Sequence, residues 1–115
     1  MLTEEQKKVY KNFLGAIIDK DIKLLSSEQR AWGKSYILNE LGFMLQALGY
    51  RVFLLTDCYQ DHFATNVFTN LNSFRGVSIN KLVVIVDEYI YSNMNEILKY
   101  CTYFNIPVVG FVDYI

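Results

Sequence analysis

The feature that most constrains the fold is an apolar run that ends in two acids, Lys81-Leu-Val-Val-Ile-Val-Asp87-Glu88. Four consecutive β-branched residues precede Asp87, which is typical of a central parallel strand covered on both faces. Acids at the carboxyl end of such a strand point into the crevice where open α/β sheets bind ligands. The run therefore predicts an α/β fold and the place of a ligand site. An ordinary strand that ends in a solvated Asp-Glu turn is the alternative.

A second stretch, Glu28-Gln-Arg-Ala-Trp-Gly-Lys-Ser35, follows a short apolar run and opens a long amphipathic segment. Gly-Lys-Ser at a strand-to-helix junction is the ending of a phosphate-binding loop. Such a loop supplies backbone N–H groups, a lysine for the β- and γ-phosphates and a hydroxyl for Mg²⁺. The complete pattern has a glycine five residues before Gly33, where this chain has Glu28. The loop alone is therefore degenerate, and its occurrence together with the acidic strand favours a nucleotide site.

Composition indicates a globular chain with one domain over residues 1–115. The sequence is 52% hydrophobic and 20% charged, and its length is sufficient for a core. The net charge of −1 provides no general basic field for nucleic acid, so charge does not support nucleic acid as a partner. The one basic cluster, Lys7, Lys8 and Lys11, fits a solvated helix face.

The cysteines and the hydropathy bear on the compartment. Cys58 and Cys101 lack the spacing of metal ligands, and His62 is the one histidine. We therefore expect free or buried thiols in a reducing cytosol, and no zinc site. No apolar run approaches the length of a membrane span, and the polar start is unlike a signal peptide. A cytoplasmic protein without a membrane partner is expected.

Apolar spacing predicts alternating helices and strands. Thr3-Glu-Glu-Gln6 has the pattern of a capping box at a helix start, and Gly49 is the expected stop of a later helix. Ser92 and Asn93 are candidate caps of the last helix. Helices are expected at about 3–18, from Lys34 to Gly49, and over 94–101. Strands are expected at 22–25, 51–55, 81–86 and 107–112.

The segment over 56–80 is harder to assign. Ala64, Val67, Phe68 and Leu71 fit one face of a helix, and the residues after them fit a loop with a turn at Gly76. Strand–helix alternation elsewhere predicts a three-layer α/β fold with a small, mainly parallel sheet of about four strands flanked by helices. The carboxyl ends of parallel strands share one edge, so the two motifs are expected to meet there.

Together these motifs resemble the P-loop NTPases of the class that has an additional glutamate. Arg30-Ala-Trp-Gly-Lys-Ser35 is similar to the R-x-x-G-K-[ST] loop in the ATPase core of phage large terminases, whose first glycine is also often missing; helicases have related cores. The resemblance spans about residues 3–112. It implies the strand order 1-4-3-2, ATP or another nucleoside triphosphate with Mg²⁺ as ligands, and a phage-like origin.

The resemblance also implies a role for each site residue. Lys34 would neutralise the β- and γ-phosphates, Ser35 and Asp87 would hold Mg²⁺, and Glu88 would orient the attacking water. Related cores carry a glutamine before the loop that contacts adenine, which makes Gln6 a candidate base reader beside its capping role. The expected nucleotide-binding residues of the loop are Glu28, Gln29, Arg30, Ala31, Trp32, Gly33, Lys34 and Ser35.

Three functions remain open from the sequence. The first is a small Mg²⁺-dependent NTPase. The second is a nucleotide-binding or nucleotide-free adaptor or inhibitor of a larger nucleic-acid motor, because neither Arg51 nor Arg75 has the context of an arginine finger and no coupling motif follows Val112. The third is a transferase, because Val84-Ile-Val-Asp-Glu-Tyr and Ile106-Pro-Val-Val-Gly-Phe resemble parts of thymidine kinases. The extra first helix and the missing cysteine cluster count against that family.

Aromatic residues offer two further candidate surfaces. Trp32 either packs beneath the loop or contacts the nucleotide. Three residues in the ambiguous segment are candidates for stacking on single-stranded nucleic acid, although no lysines or arginines are interleaved with them: Tyr59, Phe63 and Phe68. Four tyrosines are candidates for an exposed patch that joins two copies of the chain: Tyr89, Tyr91, Tyr100 and Tyr103.

Overall fold

A computed structural model describes residues 3–26, 34–56, 66–68 and 81–113. A short 3₁₀ turn, Tyr91–Asn93, precedes the last helix. Within these ranges the elements in chain order are α1 (Glu4–Ile18), β1 (Ile22–Ser26), α2 (Lys34–Ala47), β2 (Arg51–Thr56), β3 (Asn66–Phe68), β4 (Leu82–Ile90), α3 (Asn95–Phe104) and β5 (Val108–Asp113).

The strands form one five-stranded sheet in the order β1-β5-β4-β2-β3. All four pairings between neighbours are parallel, so all five carboxyl ends lie at one edge of the sheet. We call this the carboxyl edge, and the opposite one the amino edge. The prediction of an α/β chain with a small, mainly parallel sheet is confirmed.

A fifth strand corrects the prediction for the segment after β2. Asn66–Phe68 forms β3 and pairs in parallel with Phe53–Leu55 of β2, so the predicted helix is wrong where the structure describes it. Ala64 and Leu71 lie outside the described residues. A three-residue strand is too short for its apolar spacing to be told from that of a helix. The sheet order therefore differs from the predicted four-strand order by a strand added beside β2.

Helices cover both faces of the sheet, because alternate residues of each central strand point to opposite sides. Val83 and Ile85 of β4 pack in a buried cluster with α1 and α2. Val84 and Val86 pack on the other face, in a cluster that includes Ile97 and other side chains of α3. The sheet is thus the middle of three layers, and its central strands are buried on both sides.

Local sequence signals account for two helix ends. The capping box of α1 is confirmed: Thr3 Oγ1 accepts a hydrogen bond from the Gln6 N–H at 3.2 Å, and Gln6 Oε1 accepts one from the Thr3 N–H at 2.8 Å. The predicted stop of α2 at Gly49 is also confirmed, since the helix ends at Ala47 and Gly49 has a φ of +90°.

The predicted caps of α3 are wrong. Ser92 and Asn93 lie inside the 3₁₀ turn, and the helix starts one residue after Met94, whose side chain makes no capping hydrogen bond. The turn is closed by a 3.0 Å hydrogen bond from the Met94 N–H to the Tyr91 carbonyl. The chain therefore enters α3 through a tightened first turn and without a side-chain cap. Among the described residues, no helix is both long and apolar enough to cross a membrane.

Gly110 allows β5 to lie between β1 and β4. It pairs with Leu24 of β1 and Val86 of β4, and its φ is +144°. A Cβ atom built at Gly110 would overlap the carbonyl oxygen of Val86 and would lie 2.7 Å from its backbone nitrogen. Backbone atoms of a central strand cannot move aside cheaply, so only glycine fits here.

We predict that Gly110→Ala lowers the free energy of unfolding by about 3 kcal/mol or more, because it adds backbone strain and a clash in the centre of the sheet. Denaturant titration followed by circular dichroism measures the change. Gly15→Ala in α1 is the matched control, since its Cβ would meet no atom within 4 Å. It should leave stability unchanged or raise it by up to about 1 kcal/mol. A Gly110→Ala protein as stable as wild type would contradict the packing described for β5.

Candidate functional site

The candidate site lies at the carboxyl edge, where one row of residues crosses the sheet. Strand pairing aligns Leu25 of β1 with Phe111 of β5, Phe111 with Asp87 of β4, and Asp87 with Thr56 of β2. Thr56 is the last residue of β2, and Leu25 is the last but one of β1. Asp87 is therefore level with the carboxyl ends of both strands.

The predicted phosphate loop falls between β1 and α2 in the sequence. β1 ends at Ser26 at the carboxyl edge, and α2, which packs against the following strand β2, begins at Lys34 at the same edge. Residues 28–33 lie outside the described residues. The first N–H groups of a helix have no partner within the helix, and they suit an anion. The backbone of Lys34 and Ser35 forms the start of α2, while their side chains are outside the described part.

Asp87 is only 8% exposed, although it carries a carboxyl group. The predicted end of its strand at Val86 is wrong, because β4 continues to Ile90 and pairs with β5 as far as Asp113. The apolar run stops at Val86, but Tyr89 and Ile90 are good strand residues that extend the pairing. Asp87 thus lies within the paired length of a central strand and not in a turn.

Glu88 is the extra residue of a β-bulge. Asp87 pairs with Phe111 and Tyr89 pairs with the next residue of β5, Val112, so no residue of β5 is opposite Glu88. Bulges turn side chains away from the regular alternation and are common beside active sites. The bulge was not predicted from the sequence, since cross-strand register leaves no local signal. The side chain of Glu88 is outside the described part.

Asp113 is a second acid at this edge, and it was not among the predicted site residues. It ends β5, which lies between β1 and β4, and it is partly buried. The available signal was the same as for Asp87, an apolar strand followed by an acid. Two carboxylates on neighbouring strands favour a cation and disfavour an anion that arrives without one. Among the described residues, no three or more His, Cys, Asp or Glu side chains cluster as a metal site.

Gln6 is in the first turn of α1, near the carboxyl edge of the sheet. Residues 19–21 join α1 to β1, and α1 packs against that strand, so the helix runs antiparallel to it and starts near the carboxyl edge. Gln6 is 8% exposed, and its side-chain oxygen already accepts the Thr3 N–H. The capping role is therefore established, and the adenine contact remains a prediction.

Arg51 is at the wrong edge to act on a ligand beside Asp87. It is the first residue of β2, pairs with Leu82 at the start of β4 and is exposed at the amino edge. Thr56, which pairs with Asp87, is five residues further along β2, or about 17 Å for an extended strand. Arg51 thus cannot supply an arginine finger to its own site, and Arg75 lies outside the described residues.

Two side chains outside the candidate site, Cys101 and Tyr10, have raised pKa values, and burial is the main cause of each shift. Burial raises the pKa of the Cys101 thiol to about 12, so the thiol stays protonated and is a core residue rather than a nucleophile. Burial, and then the negative charge of Glu40, raises the pKa of Tyr10, whose hydroxyl donates to Met44 Sδ at 3.0 Å. Cys58 lies outside the described residues.

Three surface depressions formed by described residues lie away from the carboxyl edge. One of about 490 Å³ is at the amino edge, lined by Tyr50 and Arg51 among others. Two more, of about 340 and 440 Å³, lie along α3.

Of the candidate base-stacking residues, Tyr59 and Phe63 lie outside the described residues. Phe68 is in β3, and its side chain is outside the described part. Topology and the two acids, Asp87 and Asp113, are what single out the carboxyl edge.

Comparison with known proteins found no match to a family model, to a curated protein or to a solved structure.

Proposed function

We propose that this chain binds a nucleoside triphosphate, with Mg²⁺, at the carboxyl edge of its sheet. The observation that carries the proposal is the common position of two features. α2 starts with Lys34 at the carboxyl edge, and the nearly buried Asp87 lies at the same edge. α2 packs against β4, the strand that carries Asp87, so one ligand can contact both features.

The roles follow from the chemistry of each group. The amino end of α2 and the ammonium group of Lys34 would neutralise the β- and γ-phosphates. The hydroxyl of Ser35 and the carboxylate of Asp87 would hold Mg²⁺, with phosphate oxygens and water completing its preferred octahedral shell. Glu88, in the bulge beside Asp87, would orient water for attack on the γ-phosphate.

The acids of this edge make the proposed binding dependent on the metal ion. Asp87 and Asp113 lie on adjacent strands, and their charges would repel a bare triphosphate. A magnesium ion between the phosphates and Asp87 reverses the sign of that interaction. Nucleotide should therefore bind weakly in the presence of a chelator.

Turnover is a separate question, because the described residues bring no arginine to this edge. Arg51 is at the amino edge, and the one arginine in the loop is Arg30. A second molecule that supplies an arginine would complete the site for hydrolysis. This observation favours a second candidate function, a module that binds nucleotide and regulates a larger motor without turnover of its own.

We predict that Lys34→Ala weakens binding of a non-hydrolysable ATP analogue with Mg²⁺ by about 100-fold or more, because it removes the cation next to the phosphates. Isothermal titration calorimetry measures the affinity. Lys11→Ala, which removes an exposed lysine of α1, is the control and should bind as wild type does. Equal binding by the Lys34→Ala protein would exclude the proposed site.

Glu88→Gln separates binding from hydrolysis. It keeps the size and the strand position but removes the carboxylate, so it should bind the analogue as tightly as wild type. Any phosphate release by wild type should fall by about 100-fold or more in this variant. Wild-type binding without phosphate release would favour the regulatory module. Undiminished hydrolysis by Glu88→Gln would contradict the role given to Glu88.

Gln6→Glu tests the adenine contact and keeps the capping box. Because Gln6 is only 8% exposed, the new carboxylate should cost about 1–3 kcal/mol of stability, and Thr3→Ala, which removes the cap, should cost about 1 kcal/mol. If the Gln6 amide contacts adenine, Gln6→Glu reduces the preference for ATP over other triphosphates in competition titrations. An unchanged preference would leave Gln6 with the capping role alone.

A further inference from the structure

Three aromatic side chains are exposed on α3 and on the turn before it. Tyr103 is 79% exposed, Phe104 is 38% exposed and Tyr91 is 36% exposed. The Phe104 ring contacts that of Tyr103 at 4.9 Å and that of Tyr100 at 4.7 Å between centroids. The aromatic rings are thus packed together at one end of the helix, with one further ring at the other end.

The predicted tyrosine patch is corrected by this arrangement. Tyr89 is only 6% exposed and belongs to the core, because the bulge at Glu88 turns it towards α3. Phe104, which was not predicted to belong to the patch, is exposed in its place. We define the α3 surface as Tyr91, Glu96, Lys99, Tyr103 and Phe104.

Two opposite charges lie on the same surface without an ion-pair partner among the described residues. Glu96 and Lys99 are both exposed, and neither forms an ion pair with any residue that the structure describes. Their positions relative to Tyr103 follow helical spacing, three and then four residues apart, so all three side chains share one face of α3. Both charges also line the 340 Å³ depression next to the aromatic rings.

We propose that the α3 surface is the interface of a two-fold symmetric homodimer. A two-fold axis perpendicular to α3, midway between Glu96 and Lys99, makes the α3 helices of the two copies antiparallel. It brings Glu96 of each copy opposite Lys99 of the partner subunit, which gives two equivalent ion pairs. Measured along the helix, Glu96 and Lys99 each lie about 2 Å from the two-fold axis, on opposite sides of it.

The same register covers the exposed rings. Tyr103 and Phe104 lie about 9 Å from this axis along the helix. The equivalent point on the other side falls at Tyr91 and Ser92, in the turn before α3. The aromatic end of each helix therefore packs on the aromatic start of the other. One register therefore pairs both charges and places Tyr103 and Phe104 of each copy near Tyr91 of the partner subunit.

A second copy fits this surface better than a partner of one charge sign. The surface carries one acid and one base, so an acidic or basic partner would leave one charge unpaired. A contact between two copies related by a two-fold axis needs a self-complementary patch, and the neighbouring opposite charges of Glu96 and Lys99 provide one. Because a single short helix is buried on each side, the dimer should be weak. The inference does not depend on nucleotide binding.

Charge reversal tests the register. Sedimentation velocity from micromolar to millimolar concentration should show dimerisation of the wild-type chain. Glu96→Lys and Lys99→Glu should each weaken it by about tenfold or more, since like charges then face each other. An equimolar mixture of the two variants should dimerise again, because one copy then presents two lysines to the two glutamates of the other. Tyr103→Ser should also weaken the wild-type dimer.

Lys8→Glu is the matched control, since it reverses an exposed charge on α1 and should leave the dimer unchanged. A wild-type chain that stays monomeric at millimolar concentration would overturn the proposal. Single variants that dimerise as wild type does would overturn it as well, because another surface would then be in use. A mixture that remains monomeric would overturn the antiparallel register. Circular dichroism of each variant shows whether it is folded.

Discussion

The parallel pairing of β5 between β1 and β4 is the constraint on which the rest of the structure depends. β5 is the last strand in the chain, yet it joins the strand that leads into the loop to the strand that carries Asp87. Gly110 makes the approach possible, because any Cβ there would overlap the backbone of Val86. Without this strand, β1 would have no neighbour among the described residues, and the two motifs would not share an edge.

Parallel strands then determine where chemistry can occur. Every carboxyl end lies at the same edge, so the amino end of α2, Asp87 and Asp113 come together although they are far apart in sequence. A bulge at Glu88 changes the alternation next to Asp87 and sends Tyr89 into the core beneath α3. The bulge thus changes the strand next to Asp87 and also places Tyr89 in the cluster beneath α3.

The sequence predicts those parts of the fold that are buried on both sides. Runs such as Leu82 to Val86 have one structural interpretation, and helix ends with a capping box or a glycine stop are local signals. β3 was not predicted because three residues are too few for hydrophobic spacing to distinguish a strand from a helix. The extension of β4 and the bulge depend on pairing with β5, which no local pattern encodes. Asp113 was missed although it repeats the pattern of Asp87, because it belongs to neither of the two recognisable motifs.

Amide-resolved NMR with a non-hydrolysable ATP analogue and Mg²⁺ tests the central claim most directly, because it locates the ligand as well as detecting it. If the nucleotide binds at the carboxyl edge, the largest shift changes fall at the start of α2, over residues 33–36, and at 87–89 of β4, and a chelator reverses them. Changes confined to the amino edge around Tyr50 and Arg51, or no changes at millimolar nucleotide, would contradict that claim.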